Sequence, residues 1–282
     1  MTATAAAPGR TTTRASRSAT TGRLTRGAGI GLGISMIWFS VLVLIPLIAI
    51  VVTASEGGWS GFVDALTNEQ TAAAIRLTVG MALVVTVVNV VMGTTIAWVL
   101  VRDRFPGQRF LEVLIDIPFA LPTIVAGLVL LSLYGPDSPV GVDIANKRSA
   151  VFVAFLFVTL PFIVRTVQPV LEELDRDVEE AAMSLGASRF TTFRRVTLPS
   201  ITPAIAAGAA LAFARAVSEY GSLVLLSGNL PMKTEVTSVR ILSSIENDNL
   251  EGAAAVATIL LVISLVVIVA FDLLQRRLVR RG

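Results

Sequence analysis

The sequence predicts an all-α membrane protein with six transmembrane helices, and its composition, its apolar stretches and its missing residue types support that prediction. Of its 282 residues 54% are hydrophobic and only 15% are charged, whereas soluble domains carry about 25% charged residues. The mean hydropathy is +0.77. The chain contains no Cys and no His, which excludes disulfide frameworks, Cys/His zinc sites and His-based acid–base catalysis.

Six stretches reach the length of about 20 mostly apolar residues that a membrane span needs. The first, residues 30–54, follows five arginines, but it is longer than the apolar core of about 7–15 residues in a cleavable signal peptide. We therefore expect a retained signal anchor. The other five spans are expected at residues 77–101, 112–134, 149–168, 200–226 and 252–273. Pro118 and Pro122 predict a bend in the third helix, near the cytoplasmic face.

The basic residues indicate the orientation of the spans. The N-terminal tail, the second and fourth loops and the C-terminus together carry 17 Lys and Arg, and the opposite loops carry 5. Because basic residues accumulate on the cytoplasmic side, both termini and the fourth loop are expected in the cytoplasm.

Residues 1–29 are rich in Ala, Thr, Ser, Gly and Arg, and they are expected to form a disordered basic tail before the six-span domain of residues 30–282. The tail arginines are expected to be attracted to anionic membrane lipid and to set the topology, rather than to bind nucleic acid.

The fourth loop carries an amphipathic pattern. Residues 171–185 place apolar side chains at helical i, i+3 and i+4 spacings, which predicts one helix with a single apolar stripe. The members of this stripe are Leu171, Leu174, Val178, Ala181, Ala182 and Leu185. Gly186 is expected to end that helix with a positive φ. A second short helix is expected from Ser188, as N-cap, to Arg195, and Pro199 is expected to end it and to begin the fifth span.

Two uses of this helix can be compared. A helix lying on the membrane surface would be disfavoured by its mainly acidic polar face, which anionic headgroups repel. Small residues such as Ala181 and Ala182 instead allow close approach of a groove in a partner protein. The pattern therefore favours docking to a partner.

The fifth span contains a charged pair. Arg215 and Glu219 are four residues apart, so they share one helix face and can pair. Counted from residue 200 at 1.5 Å per residue, they lie roughly 22–28 Å into the membrane, where an unpaired charge costs several kcal/mol. Two interpretations remain open. The pair fixes helix packing, or Arg215, Ser218, Glu219 and Tyr220 line or gate a translocation path.

The spacing in the fourth loop resembles that of a known family. Glu180-Ala181-Ala182 is followed after three residues by Gly186, and after nine more by Val196, Thr197, Leu198 and Pro199. This resembles the EAA loop of importer-type ABC permeases (E-A-A, three residues, G, nine residues, I-x-L-P), with Val196 in place of the usual Ile. The resemblance implies a MetI-like type I importer fold whose loop docks on a separate ATPase. It also implies the coupling residues Glu180, Ala181, Ala182, Leu185, Gly186, Leu198 and Pro199.

Three other stretches, residues 117–135, 213–229 and 231–241, are similar to sulfate/thiosulfate permease subunits of the CysT (or CysU) type. That resemblance implies a second permease of the CysW type, two ABC ATPase subunits and an extracytoplasmic sulfate-binding protein. The sequence lacks a Gly-x4-Gly-Lys-Ser/Thr phosphate loop, so we expect no enzyme activity and no cofactor on this chain, with ATP-Mg bound by the partner ATPase. The same machinery for molybdate or tungstate, or a secondary transporter, remains an alternative.

Overall fold

The structure, a computed structural model, describes residues 26–279. The predicted tail therefore lies outside the described residues up to residue 25. The chain divides into two units, residues 1–47 and 48–282. In the first unit, helix α1 (Arg26–Phe39) is followed by a π-helical turn (Ser40–Leu44) and by the start of α2 (Ile45–Glu56). Residues 26–29 were expected in the tail, but they are helical because the helix of the apolar run extends back to Arg26.

The second unit is helical along most of its length. Its helices after α2 are α3 (Gly58–Thr67), α4 (Glu69–Arg102), α5 (Gln108–Ala120), α6 (Thr123–Tyr134), α7 (Arg148–Glu173), α8 (Arg176–Ser184), α9 (Arg189–Thr192), α10 (Leu198–Val217), α11 (Gly221–Leu226), α12 (Thr237–Glu246) and α13 (Leu250–Val279). Within the described residues, five helical spans are long and apolar enough to cross a membrane, and the bent pair α5–α6 makes a sixth if it is counted as one span.

The third predicted span is broken. Instead of one helix over residues 112–134, α5 and α6 meet at Leu121–Pro122 and turn by 119°. Leu121 has an extended backbone (φ −84°, ψ 134°), as expected for a residue that precedes proline. Pro118 lies within α5, whereas Pro122 stands at the N-cap of α6. The prolines thus predicted the bend but not its sharpness.

The fifth predicted span also differs at both ends. A π-helical turn (Phe193–Thr197) joins α9 to α10, so the helical run extends over Arg189–Val217, and the predicted stop at Pro199 is wrong. Pro199 lies in the first turn of α10, where a missing N–H is tolerated. At the other end the helix stops at Val217 and resumes at Gly221.

The core of the second unit lies where α4, α7 and α10 pack together. One apolar cluster includes Phe155, Phe213 and Leu223, all fully buried. A second cluster, around Ile163 and Ile201, packs against the ends of these helices that adjoin α8. Both clusters include residues of α10. This helix therefore connects the two candidate sites, the fourth loop at one end and the break at residues 218–220 at the other.

Candidate coupling segment and intramembrane ion pair

The segment between α7 and α10 contains the two short helices that were expected, but the first begins at Arg176 and not at residue 171. Leu171 is buried within α7, and the chain turns out of the helix at Leu174. Asp175 then caps α8, because its carboxylate accepts a hydrogen bond from the N–H of Asp177 at 3.0 Å. The prediction of one helix over residues 171–185 is therefore wrong, and the exposed part of the stripe lies on α8 and on its C-cap residue, Leu185.

The turn after α8 has the predicted geometry. Gly186 adopts φ +90°. Its N–H donates to the carbonyl of Met183 at 2.9 Å, and the N–H of Ala187 donates to the carbonyl of Ala182 at 3.1 Å. These two bonds form a Schellman motif, which needs a left-handed residue at this position. Ser188 caps the next helix through its hydroxyl, which accepts the N–H of Thr191 at 3.2 Å. Both predictions are confirmed.

Much of the surface predicted for docking is uncovered. Leu185 is 90% exposed and Phe190 71% exposed. Glu180, Ala181, Gly186 and Pro199 are also exposed, whereas Ala182 and Leu198 are half-buried. Large apolar side chains with this much exposure, clustered on one segment, mark interaction sites.

An acid that sequence reasoning missed ties this segment to the spans. Glu179 Oε1 lies 2.7 Å from Arg102 Nη2 and accepts the hydroxyl of Thr197 at 3.0 Å. The side chains of the ion pair are only 10% and 13% exposed. Arg102 also lies over the ring of Trp98, with 5.6 Å between its guanidinium carbon and the ring centroid. Glu179 therefore connects α8 to the end of α4 and to the π-helical turn before α10.

A cavity of about 900 Å³ lies between α4, α8 and the start of α10. Glu180 and Leu198 line it together with Trp98 and Phe190. The fold thus brings two of the predicted coupling residues to one cavity. Leu185, Gly186 and Pro199 are not part of its lining and lie on the exposed surface.

The predicted contact between Arg215 and Glu219 is present. Arg215 Nη2 lies 2.6 Å from Glu219 Oε2, although the geometry is not that of a hydrogen bond. The Glu219 side chain is fully buried, whereas Arg215 is 26% exposed. The contact forms even though α10 ends at Val217, two residues before the acid.

The other carboxylate oxygen of Glu219 organises the helix break. Glu219 Oε1 accepts both the N–H of Ser222 at 2.9 Å and its hydroxyl at 2.8 Å, so the acid holds the first turn of α11. Ser218 is exposed and Tyr220 is 37% exposed. Arg215, Ser218 and Tyr220 can therefore meet a solute, whereas Glu219 can act on one only through Arg215.

The breaks in the third and fifth spans lie against each other. A Cβ atom at Gly127 would lie 2.6 Å from the carbonyl oxygen of Ser222, and one at Gly221 would collide with the hydroxyl of Thr123. Helices α6 and α11 are thus in backbone contact, which only glycine permits at these positions. No residue spacing in the sequence predicts this contact.

Comparison with known proteins shows which family this chain belongs to. Residues 89–281 match the family model described as "binding-protein-dependent transport system inner membrane component". The "sulfate transport system permease protein CysT" of Salmonella typhimurium is 41% identical, over 92% of this chain and 96% of its own length. The protein of that name from Synechocystis is 42% identical, over 86% of this chain and 87% of its own length.

Solved structures agree with the fold. A chain of a bacterial alginate ABC transporter, in complex with an alginate-bound periplasmic protein, has a TM-score of 0.74 at 18% identity, with 89% of this chain and 94% of that chain covered. A chain of the MetNI methionine ABC transporter has a TM-score of 0.53 at 21% identity, with 74% and 94% covered. The chain therefore belongs to the family of binding-protein-dependent transport system inner membrane components, the multi-pass permease subunits of ABC importers, and is a transport component rather than an enzyme.

Proposed function

We propose that this chain is the permease subunit of an ATP-driven importer that carries sulfate, and thiosulfate, across the cytoplasmic membrane. The observation that supports this most strongly is the 41% identity to a sulfate permease subunit over nearly the whole of both chains. An intact coupling segment after α7 agrees with it. Both termini then lie in the cytoplasm, on the side of the α8 segment, as the excess of basic residues on those loops favours.

Coupling begins at α8, the turn after it and α9, whose exposed side chains dock on an ATPase subunit. Leu185 and Phe190 supply apolar contact area, and Glu180 and Ala181 on α8 are exposed beside them. The Schellman turn at Gly186 sets the angle between α8 and α9. Because Glu179 binds both Arg102 and Thr197, a displacement of α8 reaches α4 and α10 together.

The break at residues 218–220 belongs to the translocation path. The guanidinium of Arg215 is the cation that a passing dianion would meet there, and its pairing with Glu219 keeps binding weak enough for release. Ser218 and Tyr220 offer hydroxyl groups on the exposed side of the break. Glu219 positions Arg215 and α11 and does not touch the solute.

The assembly contains three further kinds of subunit. A second permease, of the CysW type, completes the membrane part. Two copies of an ABC ATPase bind ATP-Mg, and an extracytoplasmic binding protein delivers sulfate. This chain binds no cofactor of its own.

Reconstitution tests the proposal. The chain is purified with its second permease and ATPase subunits, placed in proteoliposomes and supplied with binding protein, and the uptake of radiolabelled sulfate is measured. We expect saturable uptake that requires ATP and is inhibited by excess thiosulfate but not by molybdate. Uptake of molybdate in preference to sulfate would contradict the substrate.

Two controls separate the alternatives. The chain alone should neither hydrolyse ATP nor transport sulfate, and uptake by the chain alone would favour a secondary transporter.

The docking surface is tested by Leu185→Asp. This change places a charge on the exposed C-cap of α8 without touching the core, so the complex should retain its spans but lose ATPase binding.

A further inference from the structure

A cavity of about 600 Å³ lies at the end of α4 that is opposite to Arg102. The start of α7 and the turn between α11 and α12 complete its walls. Three cationic side chains line it, those of Arg76, Arg148 and Lys233, together with the carboxylate of Glu235. The formal charge around the cavity is therefore +2. The apolar side chains of Leu77 and Met81 are also part of its lining.

The two arginines are each held by one hydrogen bond, and none of the three cations is neutralised. Arg76 Nε donates to the carbonyl of Ala72 at 3.1 Å, and Arg148 Nε donates to the carbonyl of Lys233 at 3.2 Å. Within residues 26–279, the terminal nitrogens of both arginines and the amine of Lys233 have no protein acceptor, and none of the three residues has an acid within ion-pair distance. The guanidinium groups thus keep their terminal donors for a ligand.

The turn that presents Lys233 is fixed by buried hydrogen bonds. The hydroxyl of Thr234 donates to the carbonyl of Ser227 at 2.6 Å and accepts the N–H of Leu230 at 3.0 Å. Glu235 Oε2 accepts a hydrogen bond from Gln70 Nε2 at 2.7 Å, so this acid is bound to α4 and not to a cation. A fixed turn lowers the ordering cost of binding.

The cavity is basic, whereas the neighbouring loops are acidic overall. The loops on this side carry five basic and nine acidic residues, so an anion meets net repulsion over most of the surface. Three of the five bases surround this cavity. The other two, Lys147 and Arg240, are not part of its lining.

We propose that this cavity binds a tetrahedral oxyanion at the outer mouth of the permease. The inference rests on the proposed function, from which it takes the orientation and the substrate. A sulfate dianion matches the +2 charge, and exposed cations bind it weakly, as a transport path requires. The phosphate of an anionic phospholipid has the same chemistry, and the apolar part of the lining would fit its acyl chain.

A cysteine probe tests the site, because the chain has no native Cys. Ala73→Cys places a thiol in the cavity lining, and Ser60→Cys on α3 serves as the reference. The complete complex is studied in phosphatidylcholine nanodiscs with a sulfonate-bearing and a trimethylammonium-bearing thiol reagent. At each cysteine, the rate with the sulfonate reagent is divided by the rate with the trimethylammonium reagent. We expect this ratio to be about tenfold higher at Ala73→Cys than at Ser60→Cys, because the cations lie within one Debye length of the cavity thiol.

Charge variants and competing anions give the remaining readouts. The change of Arg76, Arg148 and Lys233 to Gln should abolish the preference for the sulfonate reagent, whereas the matched change of Lys147 and Arg240 to Gln should not. Sodium sulfate should slow the labelling severalfold compared with sodium chloride at equal ionic strength. Protection by phosphatidylglycerol but not by sulfate would identify the oxyanion as a lipid phosphate.

Equal rates for the two reagents, without protection by sulfate or by phosphatidylglycerol, would overturn the site. Sulfate uptake by the same complex in proteoliposomes keeps the two proposals apart. Intact uptake without protection rejects the cavity alone, whereas absence of uptake by the complex without the cysteine rejects the proposed function.

Discussion

Among the described residues, the Arg102–Glu179 and Arg215–Glu219 ion pairs have nearly the same length but connect different elements. Glu179 and Arg102 are 2.7 Å apart in space and 77 residues apart in sequence. Arg215 and Glu219 are 2.6 Å apart and only four residues apart. The first is a tertiary contact between α8 and α4, and the second is a local contact across a helix break.

The hydrogen bonds that each acid makes outside its ion pair extend this difference. Glu179 accepts the hydroxyl of Thr197 on a third element, so the pair fixes relative positions. Glu219 accepts the N–H of Ser222, so the pair fixes the backbone of α11. An exchange of charges should therefore be possible at the first pair and impossible at the second, because arginine offers no acceptor to Ser222.

The largest effect is expected from Glu219→Leu. The change leaves Arg215 without its partner and leaves the buried N–H and hydroxyl of Ser222 without an acceptor. We expect a loss of about 3–5 kcal/mol of stability. The thermal unfolding midpoint of the purified complex measures it, and an unchanged midpoint would show that the pair does not hold the break.

The matched variant combines Arg215→Leu with Glu219→Gln. It removes both charges but keeps an acceptor for Ser222, so the complex should unfold near the parent temperature while sulfate uptake is lost. If this variant transports sulfate at the parent rate, the pair serves packing only and Arg215 does not belong to the path.

The next effect is expected at the tertiary pair. Arg102→Glu or Glu179→Arg alone places like charges together in a largely buried site, which should cost about 2–5 kcal/mol and reduce uptake by more than tenfold. Both changes together restore opposite charges and should recover much of the uptake. A double exchange that is no better than either single change would mean that the contact does not link α8 to α4.

A smaller effect is expected from Gly186→Val. A β-branched residue at φ +90° is strained by about 1–2 kcal/mol, and the strain tilts α8 against α9. We expect insertion and ATPase binding to persist while ATP-dependent uptake falls. Gly107→Val is the control, because Gly107 has φ +89° and equally open surroundings but lies before α5. Equal losses of uptake in both variants would argue against a special role for the turn.

The smallest effect is expected from two labelling variants that place the pairs on their sides of the membrane. Ser60→Cys should react with an impermeant thiol reagent added to intact cells, and Ser184→Cys, next to the Glu179 pair along α8, should react only after the membrane is opened. Both variants should transport normally. Labelling of Ser184→Cys from outside would reverse the orientation.

The features predicted from the sequence are those determined by neighbouring residues. Hydropathy located the spans, Gly186 and Ser188 identified a helix end and a helix start, and the four-residue spacing of Arg215 and Glu219 identified their contact. Apart from the spans, which are averages over about 20 residues, each depends on side chains less than about two helical turns apart.

The missed features depend on distant or competing contacts. Nothing near Glu179 in the sequence points to Arg102. The break after Val217 contains no proline, and it is stabilised by the bonds from Glu219 to Ser222 and by the fit of Gly221 against Thr123. Asp175 interrupts the helix predicted over residues 171–185, because its side chain caps a new helix, α8. In these cases the three-dimensional partner decides the local structure.

The unbroken helical run Arg189–Val217 contains 29 residues and is therefore about 44 Å long. It begins next to the Gly186 turn and ends two residues before Glu219. Under the proposed function this run would act as a lever, because it contains no loop; the π-helical turn and Pro203 are the positions where it can bend. A tilt of about 10° at the end next to the Gly186 turn would move the far end by roughly 8 Å. Under the proposed function, a small rotation of the coupling segment would therefore move the break at residues 218–220 without a flexible linker between them.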